Sequence, residues 1–241
     1  MWQICKREFG AMFSSPTAYV LSAIYLGLSG WVFLYLLREN RYTPQTVQGL
    51  FALAAAFWLP LLIAGATMRT FAEERQNGTL ESLLSAPVGD GAVVSGKFLA
   101  AYGFVLVQLL LCTLPVWGLR FGAHHLTGFE GGGMIGAWLM LAALGAAGTA
   151  LGVLMSMCTR HQSVAMALTL AALTAPYLVY LAGSQMVPGL RQFLGGYPVE
   201  AQLLAFSRGR IDFRWLALNL SLCVGCLFLA TRILEARLWR R

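Results

Sequence analysis

Six stretches almost free of charge punctuate the chain, near residues 18–37, 50–67, 98–119, 134–157, 163–183 and 215–234. A helix that crosses the hydrocarbon core needs about 20 mostly apolar residues. The pattern therefore predicts an all-α membrane protein of six transmembrane helices, forming a single transmembrane domain over residues 1–241. Ahead of the first stretch, Trp2, Cys5, Phe9, Met12 and Phe13 recur at helical spacing, and Gln3, Lys6 and Arg7 take the other face. This predicts an amphipathic interface helix over residues 1–17 that lies on the membrane and stops at Ser14-Ser15-Pro16. Pro60, Pro115 and Pro176 interrupt the second, third and fifth spans, where each frees a backbone carbonyl and kinks its helix. Gly145, Gly148 and Gly152 prepare the fourth span for close helix contact.

Two connections are long. In residues 68–97, Gly78 breaks one helix and Thr79 can cap the next; Leu80, Leu83 and Leu84 then form a ridge at i, i+3 and i+4 before Pro87 ends it. Glu73, Glu74, Glu81 and Asp90 against Arg69, Arg75 and Lys97 leave this segment a net charge of −1. A leucine ridge with acidic shoulders suits a groove on a partner protein, although such a ridge can also pack back on its own bundle. In residues 184–214, Pro198 stands at a helix start, with Val199, Leu203 and Leu204 on one side and Arg208 near its end. Gly209 is placed to cap that helix, and Asp212 to cap the sixth span. This short helix is either a lid dipping into the membrane interface or a passive connector.

Composition narrows the class further. The chain is 58% hydrophobic and 11% charged, against about 25% charged for a soluble domain. No predicted span carries an Asp, Glu or Lys in its central part. A proton relay or ion pump keeps such groups inside the membrane, so the energy for any transport must come from elsewhere. Orientation follows the positive-inside bias. With both termini cytoplasmic, ten basic residues face inward (Lys6, Arg7, Arg69, Arg75, Lys97, Arg160, Arg232, Arg237, Arg240 and Arg241) and seven outward (Arg38, Arg41, Arg120, Arg191, Arg208, Arg210 and Arg214). Polar residues follow Met1 almost at once and the first apolar run is too long for a signal-peptide core, so no cleavable signal is expected. The net charge of +7 reads as anchoring to lipid. No basic stripe with interleaved aromatics points to nucleic acid.

Candidate chemistry is sparse. Residues 91–98, GAVVSGKF, come close to a phosphate-binding loop, but Phe98 stands where the magnesium-binding hydroxyl belongs, and no buried strand precedes the stretch. Cys223 and Cys226 share a helix face in the sixth span, at a spacing that suits metal or redox chemistry but more often serves helix packing. His124-His125 has no third ligand beside it and reads as a solvated loop pair. No metal site is expected, and no span holds a nucleophile and base at catalytic spacing.

Two segments, CKREFGAMFSSPTAYV at the N-terminus and EERQNGTLESLLSAPVGDGAVVSGKFLA between spans two and three, carry a resemblance together with the six spans and the lack of an ATP-binding domain, and AFSRGRIDFRWLALNLSLCVGCLFLATRILEARLW at the end points to a branch. The chain resembles the membrane subunits of ABC transporters of the ABC-2 type over essentially its whole length. The run Ser207-Arg208-Gly209-Arg210-Ile211-Asp212 is similar to the gliding-motility-associated, GldF-like branch. The resemblance implies a permease subunit that is not itself an enzyme. A separate cytoplasmic ATPase would bind ATP and magnesium and drive export across the bacterial inner membrane. It further implies a multi-pass chain with both termini cytoplasmic, paired with a second copy or a related permease. The segment over residues 68–97 would be the coupling helix region, with Glu73, Glu74, Arg75, Gly78, Thr79, Leu80, Glu81, Leu83 and Leu84 docking the ATPase. Lys6, Arg7, Phe9 and Phe13 would mark the interface helix, Ser207, Arg208, Gly209 and Asp212 the extracytoplasmic motif, and Lys97 would snorkel toward lipid phosphate. The alternative is a component of the same fold that passes ATPase motion to an envelope or motility machine, through an accessory envelope protein, without moving a solute.

Overall fold

The computed structural model describes residues 2–39, 47–76, 78, 89–122, 131–186 and 199–238. Its helices in chain order are α1 (Trp2–Ser14), α2 (Pro16–Glu39), α3 (Val47–Thr67), α4 (Ala72–Gln76), α5 (Asp90–Leu111), α6 (Leu114–Gly122), α7 (Gly131–Cys158), α8 (Gln162–Met186), α9 (Val199–Ser207) and α10 (Phe213–Leu238). Among the described residues five helices are long and apolar enough to cross a membrane, and α8 contributes a shorter apolar stretch, Gln162–Leu178. The chain is a helical, multi-pass membrane protein.

Burial separates centre from rim. The apolar windows of α3 and α7 are each 61% buried, whereas those of α2 and α10 are 17% and 22% buried. α3 and α7 therefore form the spine, with α2, α5, α8, α9 and α10 packed around it. Large apolar side chains such as Trp31, Leu34, Phe228 and Leu229 stay exposed on the rim, as lipid-facing surfaces require.

Glycine sets the closeness of the spine. A Cβ at Gly152 would collide with the Thr67 side chain, and one at Gly148 would lie 2.6 Å from Cδ1 of Ile63. Two of the three small residues expected to allow close contact thus do so against α3; Gly145 makes only ordinary contact with Val105 and Tyr102. At the other end of α7, a Cβ on Gly133 or Gly136 would run into the carbonyl oxygens of Ser207 and Phe206, so α9 lies backbone against backbone on α7.

The three prolines behave differently. Pro60 and Pro176 sit within continuous helices. Before Pro115 the helix stops at Leu111 and restarts at Leu114, because the proline ring clashes with the carbonyl four residues back. Val116 and Trp117 reopen the ladder by donating their N–H groups to the Thr113 carbonyl at 3.0 and 3.2 Å.

At its N-terminus the chain differs from expectation. The apolar stripe of α1 is spent on the protein: Phe13 meets Phe104 of α5 edge-on at 5.4 Å, and Phe9 stacks beside it at 4.8 Å and covers Gly103. Trp2, assigned to the same stripe, is 77% exposed, and Lys6 and Arg7 face outward.

Replacing Gly136 with valine forces α9 off α7. The expected loss is about 1–3 kcal/mol, read as a lower thermal midpoint of the detergent-solubilised chain. Gly27→Ala, at a position with open space around it, should stay within about 0.5 kcal/mol of the parent.

Candidate functional site

The polar side chains that matter collect where α1, the α3–α4 turn, the start of α5 and the end of α7 meet. Lys97 lies two turns inside α5, on the face that also buries Val93, Val94, Ala101 and Phe104, and only 2% of its side chain is exposed. Its Nζ donates to Oε1 of Glu74 and to the carbonyl of Thr70, both at 2.8 Å, and forms an ion pair with Oε1 of Glu8 at 3.5 Å. The Phe71 ring centroid is 5.2 Å away. An ammonium offers three donors; here two meet oxygens in hydrogen bonds, and the Glu8 carboxylate adds its charge at ion-pair distance. The expected reach of Lys97 toward lipid is thus corrected. Because α5 begins at Asp90, the lysine starts from inside the bundle, and two carboxylates satisfy it there.

The neighbouring bonds extend this knot. Arg75 donates to the carbonyls of Met157 and Thr159, the latter at 3.1 Å, placing a cation at the negative end of α7 where it is favoured. The Ser156 hydroxyl accepts the N–H groups of Phe71 and Ala72 at 3.2 and 3.1 Å. It caps α4 from a helix more than 80 residues away in sequence. Arg69 reaches Oγ of Ser15, at the junction of α1 and α2, at 3.0 Å.

The expected docking residues divide. Glu74 and Arg75 are committed to these internal bonds. Glu73 is half-buried and makes no ion pair among the described residues. Gly78 is exposed with φ of +71°, the left-handed conformation that ends a helix. Thr79, Leu80, Glu81, Leu83 and Leu84 lie outside the described residues. So do His124 and His125. Among the described residues no cluster of metal-ligating side chains occurs; Cys223 and Cys226 are buried among Phe98, Val153 and Ala230. Glu8, Thr70 and Ser156 had no role in the sequence reading.

The Ser207–Asp212 motif sits at the opposite end. α7 joins the two sites: its start packs on α9 and its end binds Arg75. Its 28 residues span about 42 Å at 1.5 Å per residue. Gly209, φ +76°, closes α9: its N–H binds the Phe206 carbonyl at 3.0 Å, and the Arg210 N–H binds the Ala205 carbonyl at 3.0 Å. Asp212 Oδ1 then accepts the Arg214 N–H at 3.0 Å and caps α10. Both expected caps are present. α9 buries Gln202, Leu203, Phe206 and Ser207 in the bundle.

The described residues thus form a helical membrane bundle with the N-terminal helix docked on α5 and a polar knot joining α1, the α3–α4 turn, α5 and the end of α7. A family model described as ABC-2 family transporter protein matches residues 4–201. The chain belongs to the ABC-2 transporter family. No curated protein matches it. The ABC-2 chain is accordingly a membrane permease component of an ABC transporter, and its family implies an ATP-binding partner subunit and a dimeric arrangement. The Glu74–Lys97 pair therefore lies within the stretch that defines the family.

Lys97→Met should leave Glu74 without its cation and Glu8 with only the exposed Arg7, 3.0 Å away. Breaking a buried pair on one side costs about 3–5 kcal/mol; with both carboxylates partly exposed, about 2–3 kcal/mol is expected. Thermal unfolding checks the loss, and limited proteolysis should show earlier cleavage at the α1–α2 junction. The triple variant Lys97→Met, Glu8→Gln, Glu74→Gln should regain most of the stability.

Proposed function

We propose that this chain is the membrane-spanning permease subunit of an ATP-binding-cassette transporter of the bacterial inner membrane. It couples ATP hydrolysis in a separate cytoplasmic subunit to export of a substrate. Six spans and cytoplasmic termini fit the apolar pattern and the excess of basic residues on the inward side. The permease works as a homodimer or beside a related permease. The Ser207–Asp212 run supports kinship with the GldF-like branch.

One observation carries the reading. Glu74 leaves the bundle on the outgoing arm of the connection, Lys97 returns on the incoming arm, and the two are bonded at 2.8 Å. The bond holds the two ends of the connection together at the bundle. Force on residues 79–88 passes through Lys97 to α1 and α5, and through Arg75 and Ser156 to α7. In this reading Glu73, Gly78, Thr79, Leu80, Glu81, Leu83 and Leu84 meet the ATPase, whereas Glu74 and Arg75 stiffen the base.

The ATPase should co-purify with the permease in mild detergent. Glu73→Lys with Glu81→Lys should weaken its association about fivefold to tenfold with normal expression; undiminished co-purification refutes the docking surface. Lys97→Met should keep the ATPase bound and lower the hydrolysis that the permease stimulates. Reconstituted complex that moves substrate between leaflets supports export. Hydrolysis that answers only to a partner protein supports force transmission instead.

A further inference from the structure

The turn between α9 and α10 holds Arg208, Arg210 and Arg214, all exposed, against the single carboxylate of Asp212. None of the three pairs with a carboxylate among the described residues; Asp212 is occupied by the Arg214 backbone N–H. The fold itself gives Arg214 no electrostatic benefit, because it stands in the first turn of α10, where the helix presents its own positive end. Between and beside the arginines, Ile211 is 44% and Phe213 76% exposed. The Arg214 guanidinium lies 5.9 Å from the Trp215 ring. The backbone of the turn is fixed at both ends by the Gly209 and Asp212 caps.

We propose that this turn is a lipid-binding surface, on which Arg208, Arg210 and Arg214 hold the phosphates of anionic phospholipids while Ile211 and Phe213 enter the acyl region. Charge alone would accept any phosphate. The apolar pair selects a lipid, since a free anion gives Phe213 and Ile211 nothing to bury against. Position agrees: the apolar run of α10 begins at Phe213, so the turn sits where a membrane-spanning helix meets the headgroups. The site lies at the end of α7 remote from Lys97, and so in the leaflet opposite the knot. Lipid held there would seat α9, whose other face is wedged on α7 and α3, against the bundle. This surface is independent of the ATPase-docking reading and stands if that reading fails.

Native mass spectrometry of the full-length chain, released from nanodiscs containing phosphatidylglycerol and phosphatidylcholine, tests this. The parent should retain phosphatidylglycerol preferentially. Each arginine near an anionic surface contributes about fivefold in affinity, so Arg208→Gln, Arg210→Gln, Arg214→Gln together should lower retention at least tenfold. Phe213→Ser should lower it severalfold, and soluble glycerol phosphate in millimolar excess should not displace the lipid. Arg38→Gln, in the exposed last turn of α2 at the same end of the bundle, should change nothing. Thermal midpoints of all variants establish that they are folded. Equal retention by the folded triple variant overturns the site. Displacement by glycerol phosphate shows a bare anion site and overturns the lipid assignment. A loss with Arg38→Gln as large as that of the triple variant shows diffuse charge and also overturns it.

Discussion

A lysine ammonium buried at the edge of a membrane bundle is the constraint around which the rest is arranged. Removing such a charge from water costs several kcal/mol unless oxygens replace the lost hydration. Here the replacements come from two separate parts of the chain, Glu8 on α1 and Thr70 with Glu74 around the α3–α4 turn, and they meet the lysine on a third, α5. No one of these segments can satisfy the lysine alone. The N-terminal helix, the base of the long connection and the third membrane segment must assemble together, and a displacement of one is resisted electrostatically by the other two.

The second organising element is α7, which has glycine at both working ends. Gly148 and Gly152 admit Ile63 and Thr67 of α3, and Gly133 and Gly136 admit the backbone of α9. Close contact of this kind resists sliding, because side chains on one helix occupy hollows on the other. Arg75 and Ser156 bind the far end of the same helix to α4. One helix of 28 residues thus links the knot to the arginine turn. Movement imposed at the first is available at the second without any relay of charge through the membrane interior.

Much of this was legible in the sequence. The apolar runs located the long helices other than α5 to within about four residues at either end, Ser14-Ser15-Pro16 marked the break between α1 and α2, and Gly209 and Asp212 announced their caps by residue type. The amphipathic stripe of α1 was legible as a stripe; its docking on Phe104 was not, since a surface that suits lipid suits a neighbouring helix equally. The role of Lys97 was missed for a definable reason. Placing the helix start at Phe98 put the lysine in the headgroups, whereas a start at Asp90 sets it at i, i+3, i+4 and i+7 with Ala100, Ala101 and Phe104 on a buried face. A cation on such a face demands anions. Glu8 and Glu74 could then have been sought, although their pairing bridges sequence separations that periodicity does not encode.

Glu74 and Arg75 illustrate how a motif can mix two duties. They stand at the head of the stretch EERQNGTLESLL, which the sequence reading assigned to docking as a whole, yet their side chains turn inward to Lys97 and to the end of α7. A lever needs both a contact surface and a rigid root, and a root that flexed would dissipate motion before it reached the bundle. Charged residues serve well at such a root. Their hydrogen bonds are directional and strong in a partly dehydrated setting, whereas apolar contacts alone would permit rotation about the helix axis. The charged residues before Gly78, whose left-handed backbone ends α4, thus belong to the bundle: Glu74 and Arg75 fix α4 against α5 and α7.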